Sequence, residues 1–465
     1  MRSWIRYVIK DEPDLLYVYE HCDFTAGASI GVHGDATSVG RKLLAQHWTM
    51  TPSVMPYFAA ALCHNFHYAT RVAKRNAVVQ SLHIEEHDVR EAARLVNANK
   101  IAFVPKTAKT FRSIAVEPLG NGYLQKGTDL LLRKYLKRVG IDLSDQTLNQ
   151  ELARQGSAND TAENPFCTID LKSASDSISI GLVQELLPPS WFNFLNRIRS
   201  PSYLLNGHEY RSEKFCTMGN GFCFPLETLI FAAACHAVNA GQPSVDFSVY
   251  GDDIIVRRDK YDALLLLLRR IGFLPNNRKS FREGPFRESC GANWYAGEDV
   301  TPFTLDFRLD SIQALFKFAN LARRNTRSKS YLDECVRIVL MRIPDRFLFV
   351  RPFKGSADSG IDPYGFEFRP SYWKRHHKWH TLRWLELESR PVKDDLRCPS
   401  WVVEAAALRG HSSQALFTYR RKTGTRVQVT ARSGDLTSTE ITFDPSRVER
   451  FAQKIRLTAG LRFLR

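Results

Sequence analysis

The chain has 465 residues, 44% hydrophobic and 25% charged, which suits a globular protein with a substantial core and excludes a disordered chain. Lys and Arg total 65 against 49 Asp and Glu, a formal charge of +16, so the expected partner is polyanionic: nucleic acid or a membrane surface. No apolar run reaches the length of a bilayer span, the start Met-Arg-Ser-Trp-Ile-Arg lacks the apolar segment of a signal peptide, and nine scattered cysteines without a C-x-x-C suit reduced thiols in a cytosolic compartment.

Residues 1–34 read as irregular, with Gly27, Gly31 and Gly34 punctuating a turn region that lacks the P-loop lysine pattern. Val54–Ala69 is apolar at helical spacing, and Glu85–Asn97 reads as an amphipathic helix. His83-Ile84-Glu85-Glu86-His87 fits the H-x-x-E-H pattern, but no third zinc ligand follows, so the match reads as chance. Ile101–Val104 and Ser113–Val116 are strands. Between them, Lys106, Lys109 and Arg112 recur at i, i+3 and i+6, a spacing that presents either a fork to phosphates or a solvated charged face.

Gln125–Val139 and Gln146–Gln155 are helices. Phe166–Leu171 is a buried strand carrying Asp170 at its end, where a carboxylate beside apolar neighbours needs a partner. Asp176 stands before a helix expected from Ile178 and would suit its N-cap. Tyr203–Tyr210 is a hairpin turning at Asn206-Gly207. In Thr217-Met218-Gly219-Asn220-Gly221-Phe222 the glycines permit close backbone approach to a ligand, and a helix over Leu226–Asn239 follows.

Phe247–Val256 then places β-favouring apolar residues on both sides of Gly251-Asp252-Asp253, a hairpin that lifts two adjacent carboxylates to its tip. Adjacent carboxylates are costly to ionise together unless a cation lies between them, and hard, oxygen-seeking Mg²⁺ is the fitting cation; the alternative is an ordinary turn with solvated acids. Further helices are expected over Tyr261–Ile271, Ser311–Arg323 and Tyr331–Met341. His376-His377-Lys378-Trp379-His380 reads as a basic surface. Residues 401–465 hold twelve Lys/Arg against five Asp/Glu with interspersed aromatics, a composition that suits single-stranded RNA or a solvated basic face.

The order of these parts resembles the palm motifs of polymerases. The nearer resemblance is to the replicase beta subunits of the single-stranded RNA bacteriophages, the leviviruses. It is carried by Ile169–Ser179 (IDLKSASDSIS), Thr217–Phe222 (TMGNGF), Tyr250–Ile255 (YGDDII) and Phe286–Gly291 (FRESCG), with Lys279 in Asn276–Phe281 and the cation fork upstream. Weaker similarity runs from about Phe24 to Phe303.

The resemblance implies an α+β right-hand polymerase with an antiparallel palm sheet flanked by helices. Its fingers would span 1–165, without the N-terminal part of the family's fingers. The palm would span 166–297, with a fingers insertion near 196–217 and a catalytic core of about 156–288; the thumb and a basic C-terminal region would occupy 298–465. The implied activity is RNA-directed, primer-independent RNA synthesis in the cytoplasm of a bacterial host, from template RNA and nucleoside triphosphates, without a membrane. Asp170, Asp252 and Asp253, with the Leu171 carbonyl, would hold two Mg²⁺ ions, Mn²⁺ being able to substitute. Lys106, Lys109 and Arg112 would hold the triphosphate; Asp176, Gly219 and Asn220 would face the ribose; Lys279 would donate a proton to pyrophosphate. Host elongation factors Tu and Ts and a small-subunit ribosomal protein work with some members of the family. Two rival readings are a reverse transcriptase, which shares the Y-x-D-D turn but not TMGNG, and a non-catalytic RNA-binding relative, which three intact acids oppose.

Overall fold

The computed structural model describes residues 1–25, 27–32, 39–45, 47–64, 86–106, 110–239, 246–305, 307–324, 331–344, 356–361, 374–376, 379–391, 425–434 and 441–442. They fall into two compact units, one built from Met1–Thr301 and the other beginning at Pro302.

The first twenty-one residues are not irregular, whereas the described residues from Cys22 to Gly31 are loop and turn as expected. Those twenty-one form α1 (Arg2–Ile9), which buries Ile5, Val8 and Ile9, and α2 (Leu15–His21), capped by Asp14, whose carboxylate accepts the Tyr17 N–H at 3.0 Å. An i, i+3, i+4 stripe inside eight residues is too short to stand out as periodicity, and the Asp cap was the stronger signal. α3 (Met55–His64) follows. The expected helix over Glu85–Asn97 stops at Ala92, and Ala93–Leu95 pairs as a strand in parallel with Trp48–Met50. Sheet pairing there overrides a helical pattern.

β1 (Ala98–Pro105) and β2 (Phe111–Val116) form an antiparallel pair, Phe103 opposite Ser113. α4 (Leu119–Arg138) starts earlier than its apolar stripe suggests and buries Leu124, Leu131, Leu132 and Leu136. α5 (Thr147–Ala158) leads to β3 (Phe166–Ile169) and the short β4 (Leu171–Lys172). α6 (Ile180–Leu186) is capped by Ser179, whose hydroxyl accepts the Leu182 N–H at 3.2 Å. Asp176 is therefore not that helix's N-cap; it lies in a single 3₁₀ turn, Ser175–Ser177.

β5 (Ser202–Leu205) and β6 (His208–Arg211) meet at Asn206 and Gly207, both at positive φ as a type I′ turn requires. β5 runs parallel to β1, completing a sheet ordered β2-β1-β5-β6. α7 (Cys223–Val238) is the centre of the unit. Leu226, Leu229, Ile230, Phe231, Ala232, Ala233, Ala234 and Cys235 are all fully buried, as expected of a helix apolar around its whole circumference.

β7 (Phe247–Tyr250) and β8 (Asp253–Arg257) make the hairpin, and β8 also pairs with β3, giving a three-stranded antiparallel sheet ordered β3-β8-β7. α8 (Arg258–Arg270), β9 (Leu274–Pro275), β10 (Phe286–Ser289) and β11 (Ala292–Tyr295) complete the unit. The FRESCG stretch opens on β10. Its Arg287 is fully buried, donating to the Phe166 carbonyl at 2.8 Å and pairing with Asp160 at 3.0 Å.

In the second unit α9 (Ile312–Arg324) and α10 (Tyr331–Met341) share a small core of Phe318, Ala319, Ala322, Val336 and Val339. A long antiparallel pair joins β12 (Trp379–Pro391) and β13 (Thr425–Gly434). At the edge of this sheet Lys374–His376 pairs with β12, His376 in register with Trp379, while His377 and Lys378 lie outside the described residues. Most of 401–465 lies outside the described residues, as do His83, Ile84 and Glu85. Among the described residues no helix is long and apolar enough to cross a membrane.

Candidate active site

The hairpin tip rests on α7. Gly251 sits at φ 63°, and its N–H donates to the Thr228 hydroxyl at 3.0 Å; that hydroxyl donates in turn to the Phe224 carbonyl at 2.9 Å. A side chain at Gly251 would strike the Phe224 ring, which also packs edge-on against Tyr250. Asp252 occupies the tip and Asp253 opens β8 opposite Tyr250.

Asp170 reaches the same end of the sheet. β3 pairs with β8 through Ile169 and Ile254, and Asp170 follows Ile169 as Asp253 precedes Ile254. The loop after β9 clamps it. Asn276 donates through its side chain to the Asp170 carboxylate at 2.7 Å and through its backbone to the Asp170 carbonyl at 2.9 Å, while Ser280 accepts the Asp170 N–H at 3.1 Å. Leu171 is buried and pairs with Pro275. Lys279 lies on this clamping loop with its side chain exposed.

The three carboxylates act on one another. Burial raises Asp252 above the usual carboxylate range; Asp170's charge adds to this, and Arg112 and Lys106 oppose it. Asp253 is pushed up to about 6, first by burial, with the Asp252 and Asp170 charges adding and the Cys290 backbone opposing. Asn149 donates to the Asp253 carbonyl at 3.1 Å. Glu227, on α7, is pushed up to about 8 by burial and then by Asp252, and its Oε2 has no hydrogen-bond partner among the described residues. Sequence reasoning missed Glu227; its signal was a lone acid inside the apolar run Leu226–Cys235. A cluster of repelling hard-oxygen donors fits a hard divalent cation chemically. Among the described residues, however, no three or more His, Cys, Asp or Glu side chains are gathered into a ready-made metal cage.

The glycine-rich loop lies against the cation-bearing strand. Ala115 of β2 donates its N–H to the Met218 carbonyl at 2.6 Å, and Gly219, at φ 113°, comes so close that a Cβ there would strike the Ala115 carbonyl. Gly221 donates to the Gln125 side chain at 3.0 Å; Gln125 donates to the buried Glu117, which also accepts from Asn99 and Ser200. Burial raises Glu117 above the carboxylate range, and these three hydrogen bonds oppose it. Asn220 is buried, and its Oδ1 has no partner among the described residues.

Lys106 closes the β1–β2 turn by donating its N–H to Thr110 at 2.9 Å, whereas Lys109 lies outside the described residues. Asp176 pairs with Lys214. It also adds to the pressure on the Cys223 thiol, which its contact with Cys216 and burial raise first; the Cys223 N–H donates to the Asn220 carbonyl at 3.2 Å. The structure thus brings Asp170, Asp252 and Asp253 together, with Lys106 and Arg112 in charge reach, and puts Asp176 near the Gly-Asn loop.

The sequence matches the family described as RNA replicase, beta-chain, over residues 1–335, a match that begins well before Phe24 and continues past Phe303. The RNA-directed RNA polymerase beta chain of Escherichia phage MS2 is 40% identical over 311 residues, 66% of this chain and 53% of that protein. The RNA-directed RNA polymerase subunit beta of Escherichia virus Qbeta is 38% identical over 313 residues, 67% of this chain and 49% of that protein. The chain therefore spans about half the length of these curated relatives. An in situ structure of the BmCPV RNA-dependent RNA polymerase overlays with a TM-score of 0.41 at 11% identity, over 69% of this chain and 30% of that one. With the family match covering residues 1–335, this chain belongs to the RNA replicase beta-chain family.

Proposed function

We propose that the chain is an RNA-directed RNA polymerase that copies a phage RNA genome without a primer, in the host cytoplasm. The observation that carries this is the meeting of Asp170, Asp252 and Asp253 at one end of one sheet, with Arg112 and Lys106 acting on Asp252. In this reading residues 1–165 are fingers, 166–297 palm and 298–465 thumb with its basic extension. Template RNA and nucleoside triphosphates are the substrates. Elongation factors Tu and Ts and a small-subunit ribosomal protein are candidate partners by family likeness.

Asp170, Asp252 and Asp253 would hold two Mg²⁺ ions, helped by the Leu171 carbonyl. When bound, such ions stabilise the attacking and leaving oxygens of an in-line phosphoryl displacement. The clamp of Asn276 and Ser280 fixes Asp170 before substrate arrives, which lowers the ordering cost of the reaction. Lys106, Lys109 and Arg112 neutralise the triphosphate. Asp176 and Asn220 face the ribose, and Gly219, packed bare against the Ala115 carbonyl, sets the loop that carries Asn220. Lys279, exposed on the clamping loop, would protonate pyrophosphate.

The test is primer-free synthesis by the purified chain from labelled ribonucleotides and an RNA template, with and without host lysate, beside the Asp252→Asn variant. RNA product from the wild type, its loss in the variant and unchanged RNA binding in both are expected. A wild type that makes no product even with lysate, or a variant that turns over normally, would remove the proposal. Preferential incorporation of deoxynucleotides would favour the reverse-transcriptase reading instead.

A further inference from the structure

The Gly-Asn loop is held from both flanks, and one of the holds is a buried polar pair, Glu117 and Gln125, to which the proposed reaction gives no role. On the first flank Ala115 of β2 donates to the Met218 carbonyl, and Gly219 packs so close to the Ala115 carbonyl that a side chain there would strike it. On the second flank the Gly221 N–H donates to the Gln125 side-chain oxygen at 3.0 Å. Gln125 lies inside α4 and is fully buried. Its amide nitrogen donates to the Glu117 carboxylate at 3.2 Å and to the Ile198 carbonyl at 3.0 Å. Two acceptors on one side and a donor on the other admit a single orientation of this amide, with its oxygen toward Gly221. Glu117 is held in its turn, since Asn99 of β1 and Ser200 each donate to it at 2.8 Å.

Asn220 stands between the two anchors. Its backbone is satisfied within the loop: the N–H donates to the Thr217 carbonyl at 3.0 Å, and the carbonyl accepts the Cys223 N–H at 3.2 Å. Its side chain is not. Asn220 is buried, yet its Oδ1 has no partner among the described residues, and neither has the hydroxyl of the buried Thr217. Buried polar atoms left unpaired cost free energy that an arriving polar ligand recovers. We propose that Gln125, held by Glu117, is a positioning residue for sugar selection: it fixes Asn220 where that side chain meets the ribose of the incoming nucleotide. This rests on the polymerase reading, in which Asn220 faces the ribose. Selecting a hydroxyl requires its partner to stand within about 0.5 Å of the productive geometry. A loop with glycine on both sides of Asn220 has little stiffness of its own. Gln125 supplies that stiffness from a helix. β2 and α4 are joined through Glu117 and Pro118, and β2 also carries Arg112, whose charge bears on Asp252. One continuous piece of chain therefore sets the spacing between the proposed triphosphate contact and the ribose contact.

The experiment compares wild type, Gln125→Met, Asn220→Ala and the double variant in single-turnover incorporation of matched ribo- and deoxynucleotides. Methionine keeps the length of the side chain and removes its hydrogen bonds. Gln125→Met should narrow the ribo-to-deoxy ratio about tenfold while affinity for template RNA stays the same. Because it acts through Asn220, it should narrow the ratio no further in the double variant than Asn220→Ala does alone. Hydrogen exchange of the full chain, read on a peptide spanning Thr217–Phe222, should show protected amides in wild type. That protection should be lost in Gln125→Met, while the Phe247–Val256 hairpin keeps its own. An unchanged ratio in Gln125→Met, including an equal fall for both nucleotides, or additive losses in the double variant would overturn the proposal. So would loop amides that exchange in wild type as fast as an open peptide, a result that decides the matter even if Gln125→Met does not fold. A wild type that makes no RNA removes the polymerase reading and the ribose role together, whereas RNA synthesis with an unchanged ratio in Gln125→Met removes the positioning role alone.

Discussion

The Thr228 hydroxyl accepts the N–H of Gly251 at 3.0 Å, and both groups are buried. Through this bond the central helix fixes the height and tilt of the Asp252-Asp253 turn. Thr228→Val keeps the shape but strands the Gly251 N–H, a loss of about 1–3 kcal/mol. The strain falls on the turn, so RNA synthesis should drop at least tenfold while the melting temperature falls by a few degrees. Thr228→Ser, which keeps the acceptor, should recover most of the rate. Equal rates for the Val and Ser variants would show that the bond does not position the acids.

Arg112 and Lys106 bear on Asp252 from the sheet ordered β2-β1-β5-β6. If they receive the triphosphate, Arg112→Ala should lower kcat/KM for nucleotide by tenfold or more, because a charge-assisted contact to phosphate is lost. Affinity for template RNA should change little. Steady-state kinetics with nucleotide varied at saturating template gives the answer, and an unchanged kcat/KM would return Arg112 to the solvated face.

Glu227 takes up its proton more readily folded than unfolded: its value rises from an ordinary 4.5 to about 8. For an acid raised in this way the folded state binds the extra proton, so its contribution favours folding below about pH 4.5 and is lost as pH climbs to about 8. Asp253, raised from 3.8 to about 6, acts in the same direction over a lower window. In metal-free buffer, Glu227→Gln should therefore gain melting temperature relative to wild type as pH rises from 5 to 8. Parallel melting curves for the two proteins across that range would refute the assignment.

Much of the site was legible in the chain because its local signals agree with its fold. The Gly251 turn, the strand ending at Asp170 and the Asn206-Gly207 hairpin each carry a period-2 pattern or a turn residue that nothing in the tertiary structure opposes. The Asp170 clamp was not legible, since Asn276 and Ser280 look like ordinary loop residues until β9 pairs with β4. Glu117 and Gln125 were hidden for a similar reason: one follows a strand and the other sits inside a helix, and only packing joins them to Gly221. The strand at Ala93–Leu95 was misread because its partner, Trp48–Met50, lies more than forty residues earlier in the sequence.

Asp176 has lost its simplest alternative role, because Ser179 caps the following helix. It instead pairs with Lys214, and both side chains are about a third exposed, so the pair adds little to stability. Its charge reaches Cys223, whose N–H is bonded to the Asn220 carbonyl, and Asn220 Oδ1 is buried without a partner among the described residues. A carboxylate accepts from a 2′-hydroxyl, while an amide both donates to it and accepts from it. A deoxynucleotide would leave such groups unpaired at about 1–3 kcal/mol each, or one to two decades of discrimination. Asp176→Ala should therefore lower ribonucleotide incorporation more than deoxynucleotide incorporation and narrow their ratio about tenfold. Ser179→Ala serves as the control: loss of the cap should cost about 1 kcal/mol of stability, read as a lower melting temperature, and leave the ratio alone. Single-turnover incorporation of matched ribo- and deoxynucleotides by the three proteins decides the matter, and a ratio in Asp176→Ala equal to that of wild type would leave Asp176 as the partner of Lys214 and nothing more.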